Sequence, residues 1–258
     1  MLIILPSSET KRPSPEVGPR LALEELSFPE LGPLRRRVLD ALIETSAGPD
    51  AFERLHERPS MAARIARNTR LREEPTRPAA DVYAGPLHVG LDLRSLGPRA
   101  AERAARVVVI TSGLWGAVRP DDRIPPDRMR VWANLVGLGR VEPHWRALLP
   151  DLFARLAGPA GVILDLRPPS HQSLGMPAGL ADRTIEVGVS RWSADGRRIG
   201  DVDAKRVRGA TARRLLEATT EPAAPDDLAD LLGERWPVQL AEPAGPRRPW
   251  TLRLTLDD

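Results

Sequence analysis

The chain has 258 residues, 41% of them hydrophobic, with a formal net charge of +3 and a pI near 10.1. That length builds one large domain or two small ones around a sizeable core. The absence of cysteine excludes disulfides, thiolate metal sites and a cysteine nucleophile, and no apolar run approaches the length of a membrane-spanning helix.

The first apolar run, "LIIL" (2–5), has the pattern of a strand buried on both faces. It is too short for a signal peptide and has no basic segment before it, so a cytoplasmic protein is expected, without membrane contact. In "GPLRRRVLDALIETSAG", Pro33 marks a helix start, Leu34, Val38, Leu39 and Leu42 share a face, and Gly48 is a stop. "DAFERLHER" and "SMAARIARN" predict two short helices broken at Pro59, the second capped by Ser60. These segments outline a possible helical subdomain over 30–80. "EEPTRPAADVYAGP" reads as a loop. "GPRAAERAA" (97–105) predicts a helix leading into the second buried run, "VVVI" (107–110), and "PPDRMRV" is a second loop. "EPHWRALLPDLFARLAG" has helical spacing with a kink expected at Pro150. "VILDL" (162–166) is the third buried run. "RTIEVGVSRW" predicts one arm of a hairpin turning at Asp195-Gly196. "ARRLLEATT" and "PDDLADLLG" are helical, and "WTLRLTL" alternates as a half-buried terminal strand. The expected architecture is α+β (mixed α/β), one compact domain over 1–258, with a central mixed sheet, surrounding helices and a C-terminal β-hairpin region.

The three apolar runs end alike. The first runs into Pro6, Ser7, Ser8, Glu9, Thr10 and Lys11, the second into Thr111, Ser112 and Gly113, and the third into Arg167, Pro168, Pro169, Ser170 and His171. If they are parallel neighbours, their carboxyl ends share one edge of the sheet, where open α/β sheets bind ligands. Ser8, Ser112 and Ser170 then offer hydroxyls, Gly113 and Gly116 let backbone approach, and Lys11, Arg119 and Arg167 supply charge, a mixture suited to an anion. There is no GxxxxGK[ST] loop and no GxGxxG after a strand. "TSGLWG" lacks the first glycine of a nucleophile elbow. A triad of Ser112, His171 and an aspartate can be drawn, but spacing does not fix it. The four histidines have no metal-ligand spacing, and no metal or other cofactor is expected, although carboxylates could still bind magnesium. Asp121-Asp122 is a solvated turn or a carboxylate pair. "VGLGR" (136–140) is similar to the glycine hairpin of helix-hairpin-helix DNA-binding modules.

Only two of the 38 basic residues, Lys11 and Lys205, are lysines, and Tyr83 is the single tyrosine. A chain that uses arginine as its generic cation retains lysine where a compact ammonium is needed. The local basic clusters, "LRRRVLD" and "AKRVRGATARR", suit a solvated helix face or nucleic acid.

The segments "LPSSETK" (5–11), "DVYAG" (81–85), "SGLWGAVRPDDRIPPDRM" (112–129), "VILDLRPPS" (162–170) and "KRVRG" (205–209), in this order, resemble the YaaA family of bacterial peroxide-stress-resistance proteins. The resemblance implies a cytoplasmic protein that limits hydrogen peroxide damage by limiting free iron. It also implies a compact mixed α/β fold, a positively charged cleft, and DNA binding with a helix-hairpin-helix-like element. His171 stands where family members often carry an aromatic, Ala204 where asparagine is common, and 45–80 matches poorly. The family-like segments and strand ends give as ligand- or DNA-binding candidates Ser8, Lys11, Tyr83, Ser112, Gly113, Arg119, Arg128, Arg167, Lys205, Arg208 and Gly209. Two readings follow. In one, the cleft binds DNA, largely independently of sequence, or a small phosphorylated ligand. In the other, the chain is an enzyme acting on a nucleotide or nucleobase-like molecule, with Lys205, Lys11 and Ser112 as catalytic candidates.

Overall fold

The computed structural model describes residues 1–191 and 199–256. In chain order they form β1 (Leu2–Pro6), α1 (Gly32–Ala47), α2 (Ala51–Arg54), α3 (Ala62–Asn68), β2 (Arg77–Pro78), α4 (Ala79–Val82), α5 (Pro86–Leu91), α6 (Pro98–Val107), β3 (Val108–Ser112), β4 (Gly116–Val118), β5 (Arg123–Ile124), β6 (Asn134–Leu135), β7 (Gly139–Arg140), α7 (Glu142–Arg146), α8 (Leu149–Ala157), β8 (Ile163–Asp165), α9 (Pro169–Gln172), β9 (Thr184–Arg191), α10 (Asp201–Glu217), α11 (Pro225–Gly233), β10 (Val238–Ala241) and β11 (Trp250–Leu256).

The unbroken apolar runs become central strands because helices cover both faces of the sheet. Every residue of β1, β3 and β8 is buried. The main sheet has the order β10-β11-β9-β8-β1-β3-β4. β1 pairs in parallel with β3 and with β8, so Ile4 lies between Val109 and Asp165. β8 with β9 and β9 with β11 are also parallel, while β4 and β10 close the two edges antiparallel. Five parallel strands therefore send their carboxyl ends to one edge, as the strand-end argument requires. No described helix is long and apolar enough to cross a membrane.

Several local expectations are corrected. Pro150 does not kink one helix; it lies in the first turn of α8, separate from α7. A missing N–H costs nothing there. Ser60 caps no helix. It lies in a 3₁₀ turn, and α3 starts at Ala62 without a side-chain cap. The segment around Tyr83 is not a plain loop but holds α4 and α5. The expected Asp195-Gly196 turn lies outside the described residues. The neighbours of β9 are β8 and β11, and from Asp201 the chain is helical, so the C-terminal antiparallel pair is β10 with β11. "VGLGR" joins β6 to β7 as a β-hairpin, with Gly137 and Gly139 at φ 68° and 78°. Its glycines serve a strand turn rather than a junction between helices.

Candidate functional site

A cleft of about 520 Å³ opens at the carboxyl edge of the parallel strands. The loop after β1 (Pro6 to Lys11), the stretch after β8 (Leu166, Pro168, Ser170, His171), residues 128–132, the start of α5 and one side of α10 line it. Close backbone approaches bring these pieces together. Gly113 sits under residues 129–131: a Cβ there would lie 3.0 Å from Met129 Cε and 3.1 Å from Val131 Cα. Asn68 of α3 clamps the same segment, donating to the Arg128 carbonyl (2.9 Å) and accepting from the Arg128 N–H (2.8 Å). On the other side α10 crosses α5 at Gly209 and Gly90 with backbones in contact. That crossing carries Lys205 and Arg208 to the cleft.

The cations of the cleft are mostly committed. Lys11 Nζ lies 3.0 Å from Asp127 Oδ2 and donates to the Asp127 carbonyl at 2.9 Å, with side chains 8% and 1% exposed. Arg128 pairs with the buried Glu57 (2.8 Å) and with Glu9 (3.2 Å). Burial draws the Arg128 pKa down, but Glu57 and Glu9 outweigh it and the net shift is upward. Arg130 pairs with the same two acids, at 3.1 and 2.8 Å. Lys205 pairs with Asp201, one helical turn earlier, at 2.5 Å. Arg208 is different. No ion pair links it to a described acid, and its Nε, shielded from solvent, has no hydrogen-bond partner among the described residues.

The floor of the cleft and the layer behind it hold polar groups, among them a tyrosine and two histidines. The Tyr83 ring lies 5.3 Å from His88 and 5.8 Å from Lys11 Nζ. Burial pushes the Tyr83 phenol well up, and the Asp127 charge adds to this. His88 Nε2 donates to the Pro6 carbonyl at 2.9 Å, yet burial holds the ring down to about 4. His171 shares a 3.2 Å hydrogen bond with Ser7 Oγ; burial, then the charges of Arg167 and Lys11, hold it down to about 3. Among the described residues, Asp127 Oδ1 and the Nδ1 atoms of His88 and His171 are buried without partners. Such atoms are rare in native proteins and each carries a desolvation cost of about 1–3 kcal/mol. Among the described residues no group of three or more histidine, aspartate or glutamate side chains is arranged to hold a metal ion.

This strand-edge cleft is built from the segments that resemble one family, and the whole-chain comparison decides the matter. The sequence matches the family model described as Peroxide stress protein YaaA over residues 1–239. The chain belongs to that family. A UPF0246 protein of Streptomyces coelicolor is 38% identical over 256 residues, 98% of this chain and 97% of the relative. A UPF0246 protein of Corynebacterium efficiens is 34% identical over 236 residues, 90% and 91% of the two chains. One from Salinispora tropica is 28% identical over 259 residues, 95% and 92%.

In this YaaA family member the candidate residues divide into three groups. Ser8, Lys11, Arg128, Lys205 and Arg208 line the cleft. Tyr83, Ser112, Gly113 and Gly209 lie behind its walls. Ser112 Oγ accepts from the N–H groups of Leu114 and Trp115 (3.2 and 3.3 Å), closing its own turn. The "SGLWG" turn is locked against the core. A Cβ on Gly116 would lie 2.5 Å from the Trp145 ring, Trp145 Nε1 donates to the Gly113 carbonyl at 2.7 Å, and buried Arg35 donates to the Trp115 and Ala117 carbonyls at 3.0 and 2.6 Å. Arg119 lies at the opposite end of the sheet, bonded to the Val108 carbonyl at the start of β3 (2.9 Å). Arg167 is enclosed, paired with Asp165 at 2.7 Å with both side chains 0% exposed, and stacked over Phe153. Neither lines the cleft. Sequence reasoning missed Ser7, Glu9, Arg130, Trp132 and Asp201 among the lining residues, and Glu57 and Asp127 behind them. Ser7 and Glu9 carried a signal, since they share the strand-end loop with Ser8 and Lys11. Glu57 carried none: it is one acid in a polar stretch, buried only because Arg128 and Arg130 reach it.

Proposed function

We propose that this peroxide stress protein acts through the cleft by binding a compact phosphate-bearing ligand, and that this binding limits oxidative damage linked to free iron. The observation that carries the reading is Arg208. Among the described residues it is a half-buried cation with no ion pair to an acid, set among cations that each have one. A buried unpaired guanidinium is costly, and a bidentate phosphate supplies the missing partner. Lys205 and Lys11 add charge at the same cleft, and the serines of the β1 loop add hydroxyls. The cleft volume falls in the range of small-ligand pockets. Lys205 is 43% exposed and lacks the apolar enclosure that activates a lysine nucleophile. This favours binding over covalent chemistry at that residue.

A second reading, DNA binding, is favoured by Arg64 and Arg67 of α3. They border a small depression that shares Glu9, Lys11 and Arg128 with the cleft. Phosphate tracking by such arginines is sequence-independent and falls steeply with salt. Calorimetry with ribose 5-phosphate and with ribose tests the first reading. Ribose 5-phosphate should bind, ribose should not, and Arg208→Met should weaken binding tenfold or more. Equal binding of the two sugars would overturn the phosphate site. A labelled duplex titrated at two salt concentrations tests the second: loss of binding in Arg64→Ser/Arg67→Ser at low salt is its expected result, and salt-insensitive binding contradicts it.

A further inference from the structure

We propose that the cleft takes a single nucleotide unit, its base stacked on Trp132 and its phosphate held by Arg208. The proposal rests on the reading of the cleft as a phosphate site and adds the chemistry of the rest of the ligand. Trp132 is half-buried and lines the cleft. The Arg130 guanidinium lies 5.4 Å from its ring centroid, and that guanidinium is itself fixed by Glu57 and Glu9. The indole is thus held by an anchored cation rather than left to rotate in solvent. Much of the remaining wall is apolar, with Pro6, Leu87, Met129, Val131, Leu166 and Pro168. A bare phosphate or a DNA backbone is strongly hydrated and gains nothing from such a wall. A flat heterocycle gains from both the wall and the indole face. About 520 Å³ is room for one such ligand rather than a groove several nucleotides long. Arg208 comes from α10 and Trp132 from residues 128–132, so the phosphate-holding and stacking groups reach the cleft from different elements.

The nucleotide unit has two sources, a free mononucleotide or a base within a single strand, and both are probed. Affinities of AMP, ribose 5-phosphate, adenosine and a deoxyadenosine pentamer are measured by calorimetry on the full chain, on Trp132→Leu and on Trp132→Phe. AMP should bind more tightly than ribose 5-phosphate by about five- to hundredfold, the range of base–aromatic stacking. Trp132→Leu should remove that advantage while leaving ribose 5-phosphate unchanged, and Trp132→Phe should keep most of it. A Trp132-dependent signal from AMP assigns the free nucleotide; one from the pentamer alone assigns a base within a strand. Equal affinities for AMP and ribose 5-phosphate, with no Trp132-dependent binding of the pentamer, would overturn the stacking proposal and leave the phosphate site standing. Adenosine binding as tightly as AMP would remove the phosphate site and leave the stack. Binding by none of the four would remove both. If Trp132→Leu fails to fold, the wild-type comparison and Trp132→Phe still decide.

Discussion

Gly209 of α10 lies directly against Gly90 of α5. A Cβ on Gly209 would come 3.0 Å from the Gly90 carbonyl carbon and 2.0 Å from the Leu87 carbonyl oxygen, and one on Gly90 would come 2.0 Å from the Arg206 carbonyl oxygen. Glycine inside a helix ordinarily costs about 0.5–1 kcal/mol relative to alanine. Here the overlap is with backbone, which cannot rotate away, so the two helices must separate. Gly209→Ala is expected to destabilise the protein by at least about 2 kcal/mol. It should also weaken ribose 5-phosphate binding, because Arg208 precedes the crossing by one residue. Urea unfolding checks the first effect. A gain in stability, the usual result of Gly→Ala in a helix, would show that the crossing is not tight.

Two histidines, the buried His88 and the half-buried His171, make stability depend on pH. His88 is held down to about 4 and His171 to about 3, against an ordinary value near 6.5. In the unfolded chain both become charged as pH falls through 6.5, while in the folded protein they stay neutral. The unfolded state therefore binds more protons. The stabilisation is complete above pH 6.5 and is lost as pH falls towards the folded values, at up to about 1.4 kcal/mol per pH unit for each histidine. Glu186, raised by burial, works in the opposite sense near the acid end. Unfolding free energies at pH 7.5, 6 and 5 should show the decline, and His88→Gln should reduce its slope by about half. A flat profile between pH 7 and 5 would contradict the burial of these rings.

Lys205→Arg separates binding from lysine chemistry. Lys205 is exposed and paired with Asp201 on the preceding turn, and a guanidinium fills that position as well as an ammonium does. Ribose 5-phosphate affinity is expected within about threefold of wild type, since phosphate accepts either cation. Protection of cells from hydrogen peroxide should also be retained. A variant that binds normally but no longer protects would mean that Lys205 acts as an acid, base or nucleophile.

The parallel core of this fold is legible in the sequence because strands buried on both faces are unbroken apolar runs. "LIIL", "VVVI" and "VILDL" fall on β1, β3 and β8, and their shared edge follows. The partners of β9 are not legible. Alternation marks a strand, but the choice of β8 and β11 depends on residues far along the chain. The same limit governs the site. Ser112, Gly113 and Gly116 have the chemistry of a ligand loop. What turns that loop inward is Trp145 and Arg35, which no local pattern connects to it. Arg119, Arg167 and Arg208 look alike as sequence. They differ in what surrounds each guanidinium: the Val108 carbonyl and Phe28 ring for Arg119, Asp165 for Arg167, and no described acid for Arg208.

Survival under hydrogen peroxide of a strain lacking its own family member tests the central claim most directly. The strain is complemented with wild type, Arg208→Met or Arg119→Met, each matched for expression and thermal stability. Wild type and Arg119→Met are expected to protect, because Arg119 lies at the far end of the sheet from the cleft. Arg208→Met, folded but without the cleft cation that has no ion pair to a described acid, is expected to lose protection. Full protection by Arg208→Met would contradict the assignment of the stress function to this cleft.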